Sequence, residues 1–272
     1  GAYFPTNGAA SVDPDAIIPV SSLNTTLTGN VTINGHTSYA DAAKTGLTID
    51  VPTLVRTGSG SITIAAAGNF ELLDTVAPGV VYTAGAAAAN APGFSTPTLP
   101  STATPNGLSS PPVWASNGGS VTINVGQSII GIETPTDPTG TETGTAAGSV
   151  GVSTGQMWNA WYMINGKPTG SSTAPFDPAG GGVQFSTWVD YANFFQGIAA
   201  LGGGNITLKA GSNIYDISAS LPETIQLSGG TSVNDPPVAH YYGGGDLTVQ
   251  AGGNLYSSAF YVGRGTGTIT VG

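Results

Sequence analysis

Apolar and polar residues alternate in short tracts that recur along the chain. Four of these tracts superimpose on a leading glycine: Gly60, Gly119, Gly204 and Gly245. Two residues on stands Ile62, Val121, Ile206 or Leu247, followed in every copy by threonine (Thr63, Thr122, Thr207, Thr248) and then by Ile64, Ile123, Leu208 or Val249. Position +6 is Ala66, Val125, Ala210 or Ala251, and +7 is Gly126, Gly211 or Gly252, with Ala67 the exception. Position +9 is Asn69, Ser128, Asn213 or Asn254, and +10 is Phe70, Ile129, Ile214 or Leu255. Alternation with a period of two predicts a strand buried on one face, and Gly and Asn supply the corner that follows. One such unit has too small an apolar face to bury alone, so the repeat predicts a solenoid of stacked strands, of which a parallel β-helix is the simplest form. Threonine then stacks on the outer face, and Asn at +9 is expected to stack amide on amide at the corner.

Read in order, residues 1–28 form an irregular edge segment, and the β-helix runs over 29–272. Residues 29–56 read as two or three strands, broken at Pro52; the first resembles a degenerate repeat with Val31, Thr32 and Ile33 at +2 to +4. After the first clear copy comes the strand VVYT, and then a Pro-rich excursion over 84–117. A second excursion, rich in Thr and Gly, covers 134–182 and ends in aromatic residues. A helix is predicted near 187–201, with Thr187 and Asp190 as a capping pair, an apolar stripe from Trp188 to Leu201 and a stop at Gly202–Gly204. The third and fourth lead glycines are 41 residues apart (245 − 204), which reads as about two coils, and the earlier intervals of 59 and 85 leave room for further coils. Another strand begins within 263–272. The fold class is therefore all-β, with one short flanking helix.

Composition supports this picture. The 272 residues include 42 Gly and 19 Pro but only 20 charged side chains, too few to coat solvated helices, while a hydrophobic share of 39% rules out wholesale disorder. The net charge is −10, and the five basic residues, Lys44, Arg56, Lys167, Lys209 and Arg264, are scattered; nucleic-acid binding is excluded. There is no cysteine, so stability is expected from ladders rather than disulfides. No apolar run approaches a membrane span, and a chain that opens at Gly1 and stops inside a repeat reads as a piece of a longer polypeptide. Open repeats at its ends lead us to expect self-association into filaments.

The chemistry-bearing residues form no catalytic constellation. Glu71 with Asp74 and Asp13 with Asp15 are close in sequence but do not recur, and read as solvated turn acids. His36 and His240 lack metal-ligand spacing and read as exposed loop histidines. The GGGD tract at 243–246 has the wrong spacing for a calcium-binding repeat, and the GGG runs lead into strands, as coil turns do. No catalytic, metal-binding or cofactor-binding residue is assigned, and no cofactor is expected. Trp158, Trp161 and Tyr162 are the candidate glycan contact, a platform for stacking on sugar rings; the competing reading is that they seal the side of the solenoid.

The tracts NFFQGIAALGGGNITLKAG (193–211), DISASLPETIQLSGG (216–230) and HYYGGGDLTVQAGGNLYSSAFYVGRGTGTITVG (240–272) resemble the filamentous-haemagglutinin-like large exoproteins of Gram-negative two-partner secretion. The resemblance implies a right-handed parallel β-helix and export of the parent protein through an outer-membrane partner. It also implies an extracellular or cell-surface role in adhesion to host or neighbouring cells, or in biofilm. The family brings no catalytic residues. The function expected is thus structural and adhesive, not enzymatic; the alternative is a carbohydrate-binding or polysaccharide-degrading β-helix.

Overall fold

The computed structural model describes residues 29–40, 48–92, 113–132, 161–165, 186–191, 194, 196–228 and 238–272. The glycine-led repeats become strands Ile62–Ala66, Val121–Val125, Ile206–Ala210, Leu247–Ala251 and Gly267–Val271, which pair in that order as one parallel sheet, sheet I. The register follows the sequence superposition: Ile62 pairs with Val121, Val121 with Ile206 and Ile206 with Leu247. The threonines form a continuous column from Thr63 to Thr268. The last strand adds a fifth copy, led by Gly265, with glycine at +2.

Sheet II is parallel and built from Val31–Ile33, Phe70–Leu72, Ile129–Ile130, Ile214–Tyr215 and Leu255–Tyr256. Sheet III, also parallel, contains Leu54–Thr57, Gly79–Thr83, Gln196–Ala200, Ser218–Leu221 and Ala259–Val262. The chain visits I, II and III in the same order on each circuit, so equivalent positions lie above one another in all three sheets. Ile62, Val121, Ile206 and Leu247 belong to one buried core with Ile123, Leu208, Val249, Phe70, Ile129 and Ile214. Ile123, Leu208 and Val249 have no exposed surface. Each large side chain buried there contributes about 1.5–3 kcal/mol, which offsets the ordering of the strands that carry it.

Several sequence readings change. The interval between the strands starting at Ile206 and Leu247 is 41 residues (247 − 206), yet these strands are direct neighbours. It is therefore one circuit carrying an insertion, not two coils, and the intervals of 59 and 85 are likewise single circuits. The uninterrupted circuit is the last one, 20 residues from Leu247 to Gly267. Val31 pairs with Phe70, so Val31–Ile33 belongs to sheet II and Val31 sits at position +10 rather than +2. A three-residue apolar–Thr–apolar tract fits either phase, and the preceding Gly29–Asn30, matching Gly68–Asn69, decides it.

The helix near 187–201 is not formed in the described residues. Ser186–Val189 is a strand antiparallel to Tyr162–Asn165, and Gln196–Ala200 runs parallel to Gly79–Thr83. Gln196–Ala200 is covered on both sides: Ile198 and Ala200 face the main core, whereas Ala199 and Leu201 face a second apolar cluster. A strand buried on both faces loses its alternation, and its apolar run imitates a helical stripe.

The insertions leave the circuits at the corners. A hairpin of His36–Ala40 and Thr48–Pro52 lies between sheets II and III of the first circuit. Ala86–Ala87 pairs with Ala115–Ser116 at the base of the Pro-rich excursion. Tyr162–Asn165, Ser186–Val189, Glu223–Ser228 and Val238–Gly243 assemble a four-stranded antiparallel sheet absent from the sequence reading. Residues 1–28 and most of the 134–182 excursion lie outside the described residues.

Two devices lock circuit to circuit. A Cβ placed on Gly126, Gly211, Gly252 or Gly272 would lie 2.3 Å from the carbonyl oxygen of the residue below it in the column. The leading glycines repeat this contact: a Cβ on Gly119 or Gly204 would meet the oxygen below at 2.2 or 2.3 Å. Glycine is required here because one backbone rests on another. The second device is a pair of side-chain acceptor columns. Asn30 Oδ1 accepts from the Asn69 N–H (2.9 Å), Asn69 Oδ1 from Ser128 (2.9 Å), Ser128 Oγ from Asn213 (3.3 Å) and Asn213 Oδ1 from Asn254 (2.7 Å). The +9 side chains thus bond to the next backbone rather than amide to amide. Position +1 repeats the pattern through Ser61, Ser120, Asn205, Asp246 and Thr266. Replacing Gly126 by alanine should cost about 1–3 kcal/mol through overpacking, and Asn213→Ala about 1 kcal/mol, both read from urea unfolding midpoints.

Candidate functional site

Two side-chain clusters outside the main core bring together groups capable of recognition or ionisation. The first is the aromatic flank, where the antiparallel sheet meets sheet III. Trp161 is 0% and Tyr162 4% exposed. Trp161 meets Phe194 edge-on, with centroids 5.0 Å apart at 87°, and Phe194 meets Tyr82 at 5.5 Å and 82°. Such edge-to-face pairs stabilise by about 0.5–1.5 kcal/mol beyond area burial. The Tyr162 hydroxyl donates to the Glu223 carbonyl, and Tyr191 donates to the Ala84 carbonyl at 3.0 Å. Burial pushes the phenols upward: Tyr191 rises well above the usual range, and Tyr261 rises to about 12, with the neighbouring Tyr162 and Glu223 adding to it.

Of the candidate glycan contact, Trp161 and Tyr162 present no exposed face for stacking on a sugar ring. Trp161 and Tyr162 are turned inward against Tyr82, Phe194 and Tyr261, and Trp158 lies outside the described residues. Polar staples hold the flank in place. The Trp114 indole donates to the carbonyls of Thr187 (2.8 Å) and Ile225 (3.0 Å). Gln226, fully buried, accepts from Ala91 N (2.8 Å) and donates to Asn90 Oδ1 (3.0 Å), tying the Pro-rich excursion to the antiparallel sheet.

The second cluster is a histidine between two carboxylates. His36 Nδ1 lies 2.8 Å from Asp74 Oδ2, and its Nε2 lies 4.0 Å from Asp50 Oδ1. Asp74 is buried and also accepts the N–H groups of Val76 (2.9 Å) and Ala77 (2.8 Å), while Asp50 accepts from Ser38 Oγ at 2.5 Å. The ring thus pins the hairpin to the corner below sheet II. His36 is exposed, as expected, but it sits on a strand rather than in a loop and is bonded to Asp74, and Asp74 is a buried acceptor rather than a solvated turn acid. Glu71 accepts from Asn30 (3.0 Å), Thr32 (2.7 Å) and Asn69 (3.0 Å). The hairpin is what joins His36 to Asp74 across 38 residues, and no local spacing signals it. His240 is likewise engaged, with Nε2 2.9 Å from Ser228 Oγ. Among the described residues no group of three or more His, Asp or Glu is arranged to hold a metal ion.

The hydrogen bond that the His36 ring donates to Asp74 raises the His36 pKa, and the two carboxylate charges add to this against a desolvation cost. Burial alone would raise Asp74, but the Ala77 and Val76 N–H groups and His36 outweigh it and hold the carboxyl below its usual range. The His36 contribution is therefore complete below about pH 6.5 and fades as pH rises through the raised value. The Asp74 contribution is present above about pH 4 and is lost as pH falls through its lowered value. His36→Ala should consequently lower the urea midpoint more at pH 5.5 than at pH 9. Trp161→Ala should cost about 3–5 kcal/mol at either pH. Compared with known proteins, the chain matches no family model, no curated protein and no solved structure.

Proposed function

We propose that sheets I, II and III are the faces of a right-handed parallel β-helix. This helix serves as a structural and adhesive segment of a large bacterial exoprotein of the filamentous haemagglutinin type. The observation that carries the reading is the stacking of equivalent positions in all three sheets. Glycine, acceptor and apolar columns are all spent on joining circuit to circuit. A chain built this way presents long, repetitive, weakly charged outer faces, such as the threonine column of sheet I. Such faces suit extended contact with a surface more than capture of one small molecule. The resemblance of residues 193–272 adds the cellular setting: a parent protein exported through an outer-membrane partner and displayed outside the cell toward host or neighbouring cells. The carbohydrate-directed alternative is weaker, because the two described rings of its candidate contact are buried.

Fluorescently labelled chain should bind cultured epithelial cells or Gram-negative biofilm saturably and be displaced by unlabelled chain. Binding no greater than that of an unrelated acidic β-protein would overturn the adhesive reading. A crystallographic trace with the opposite hand would overturn the fold assignment.

A further inference from the structure

We infer that Asn34–Gly35 is a self-modification site, at which the folded chain converts Asn34 to aspartate and isoaspartate with water as co-reactant. Asparagine followed by glycine is the pairing most open to this chemistry. The glycine nitrogen attacks the side-chain amide and carries no neighbouring Cβ to hinder it. Two such pairs have both residues described, Asn34–Gly35 and Asn117–Gly118. Both asparagines are exposed, so solvent access does not separate them. What separates them is the attacking nitrogen.

At Asn34 that nitrogen is held against its target. The Gly35 N–H donates to Oδ1 of Asn34 itself at 2.8 Å, which keeps the side-chain amide folded back over the peptide bond that follows it. Gly35 lies at φ +92°, between Val31–Ile33 and His36–Ala40, and a Cβ placed on it would meet nothing nearer than Thr53 Oγ1 at 4.0 Å. The ring that must form therefore has room. At Asn117 the same nitrogen belongs to the ladder. The Gly118 N–H donates to Gly202 O of the next circuit at 3.0 Å, and a Cβ there would fall 2.3 Å from Gly203 O. Asn117 can react only after that corner has opened, and its rate is cut to the fraction of time the corner stands open.

The step balances without an oxidant or reductant. Hydroxide takes the Gly35 amide proton and the nitrogen bonds to Asn34 Cγ. The Cγ–Nδ2 bond breaks, with Nδ2 taking a proton from water and leaving as ammonia. Water then opens the cyclic imide at either carbonyl. Opening at the side-chain carbonyl gives aspartate; opening at the α-carbonyl gives isoaspartate, whose main chain is one methylene longer and whose α-carboxylate hangs free. Either product makes the net charge of −10 one unit more negative. The isoaspartyl form acts on the neck of the hairpin. There the Thr53 N–H donates to Gly35 O at 3.1 Å, and Thr53 Oγ1 donates to Asn34 O at 3.1 Å and to Gly35 O at 2.8 Å. Those two carbonyls flank the altered bond, so its lengthening parts the neck. The chain thus carries a slow chemical timer that loosens the hairpin of His36–Ala40 and Thr48–Pro52.

The test ages the chain at mildly alkaline pH, folded and in concentrated urea, and quantifies aspartyl and isoaspartyl residues by peptide mapping. In urea Asn34 and Asn117 should convert at similar rates. In the folded chain Asn34 should convert at least about tenfold faster than Asn117, because Gly118 must first leave its ladder. An Asn117 that keeps pace with Asn34 in the folded chain would overturn the inference, as would an Asn34 slowed by folding as much as Asn117 is. Chain bearing isoaspartate at residue 34, isolated by ion exchange, should show faster hydrogen exchange over residues 36–53 than fresh chain. Asn34→Gln aged in the same way should keep the slow exchange. Equal exchange in the isoaspartyl and fresh chains, or equal loosening of aged Asn34→Gln, would overturn the timer.

Discussion

The fixed spacing of a parallel ladder, about 4.8 Å between neighbouring strands, is the constraint on which the rest of this structure depends. Once circuits sit that close, whatever occupies a position must coexist with its own counterpart above and below. Apolar side chains meet this demand by stacking into columns such as Ile64, Ile123, Leu208 and Val249. Backbone meets it at the corners only where there is no Cβ, and polar side chains meet it by accepting the next N–H. The repeated letters in the sequence record that single geometric demand.

This explains how much could be read from the residues. Sheet I was legible to the register, because its strands are one-sided: Val121, Ile123 and Val125 point in, while Thr122 and Asn124 point out. The glycine and asparagine positions were visible as a pattern, but their physical work was not. An amide accepting a backbone N–H from the next circuit cannot be distinguished in sequence from one stacking on another amide. The +1 column of Ser61, Ser120, Asn205 and Asp246 was available as a signal, since each carries a side-chain oxygen that accepts the next N–H. Its varied chemistry concealed it.

Sheet III and the flank were poorly legible for a different reason. Gln196–Ala200 is buried from two directions, and its apolar run carries no period of two. The antiparallel sheet joins segments far apart in the chain, as Trp114 does when it bonds to Thr187 and Ile225. The same holds for the site: His36 and Asp74 become partners only because a hairpin leaves the circuit between them and returns. Trp161 and Tyr162 follow the second of the two readings made for them, closing the seam between the two kinds of sheet.

The insertions all leave at corners, and the circuits close again as though nothing had intervened. Axial length is thereby uncoupled from residue count: one circuit takes 20 residues and another 85, yet each adds the same single step of about 4.8 Å. A lineage could widen such a molecule, or re-equip its flanks, without altering the distance it spans.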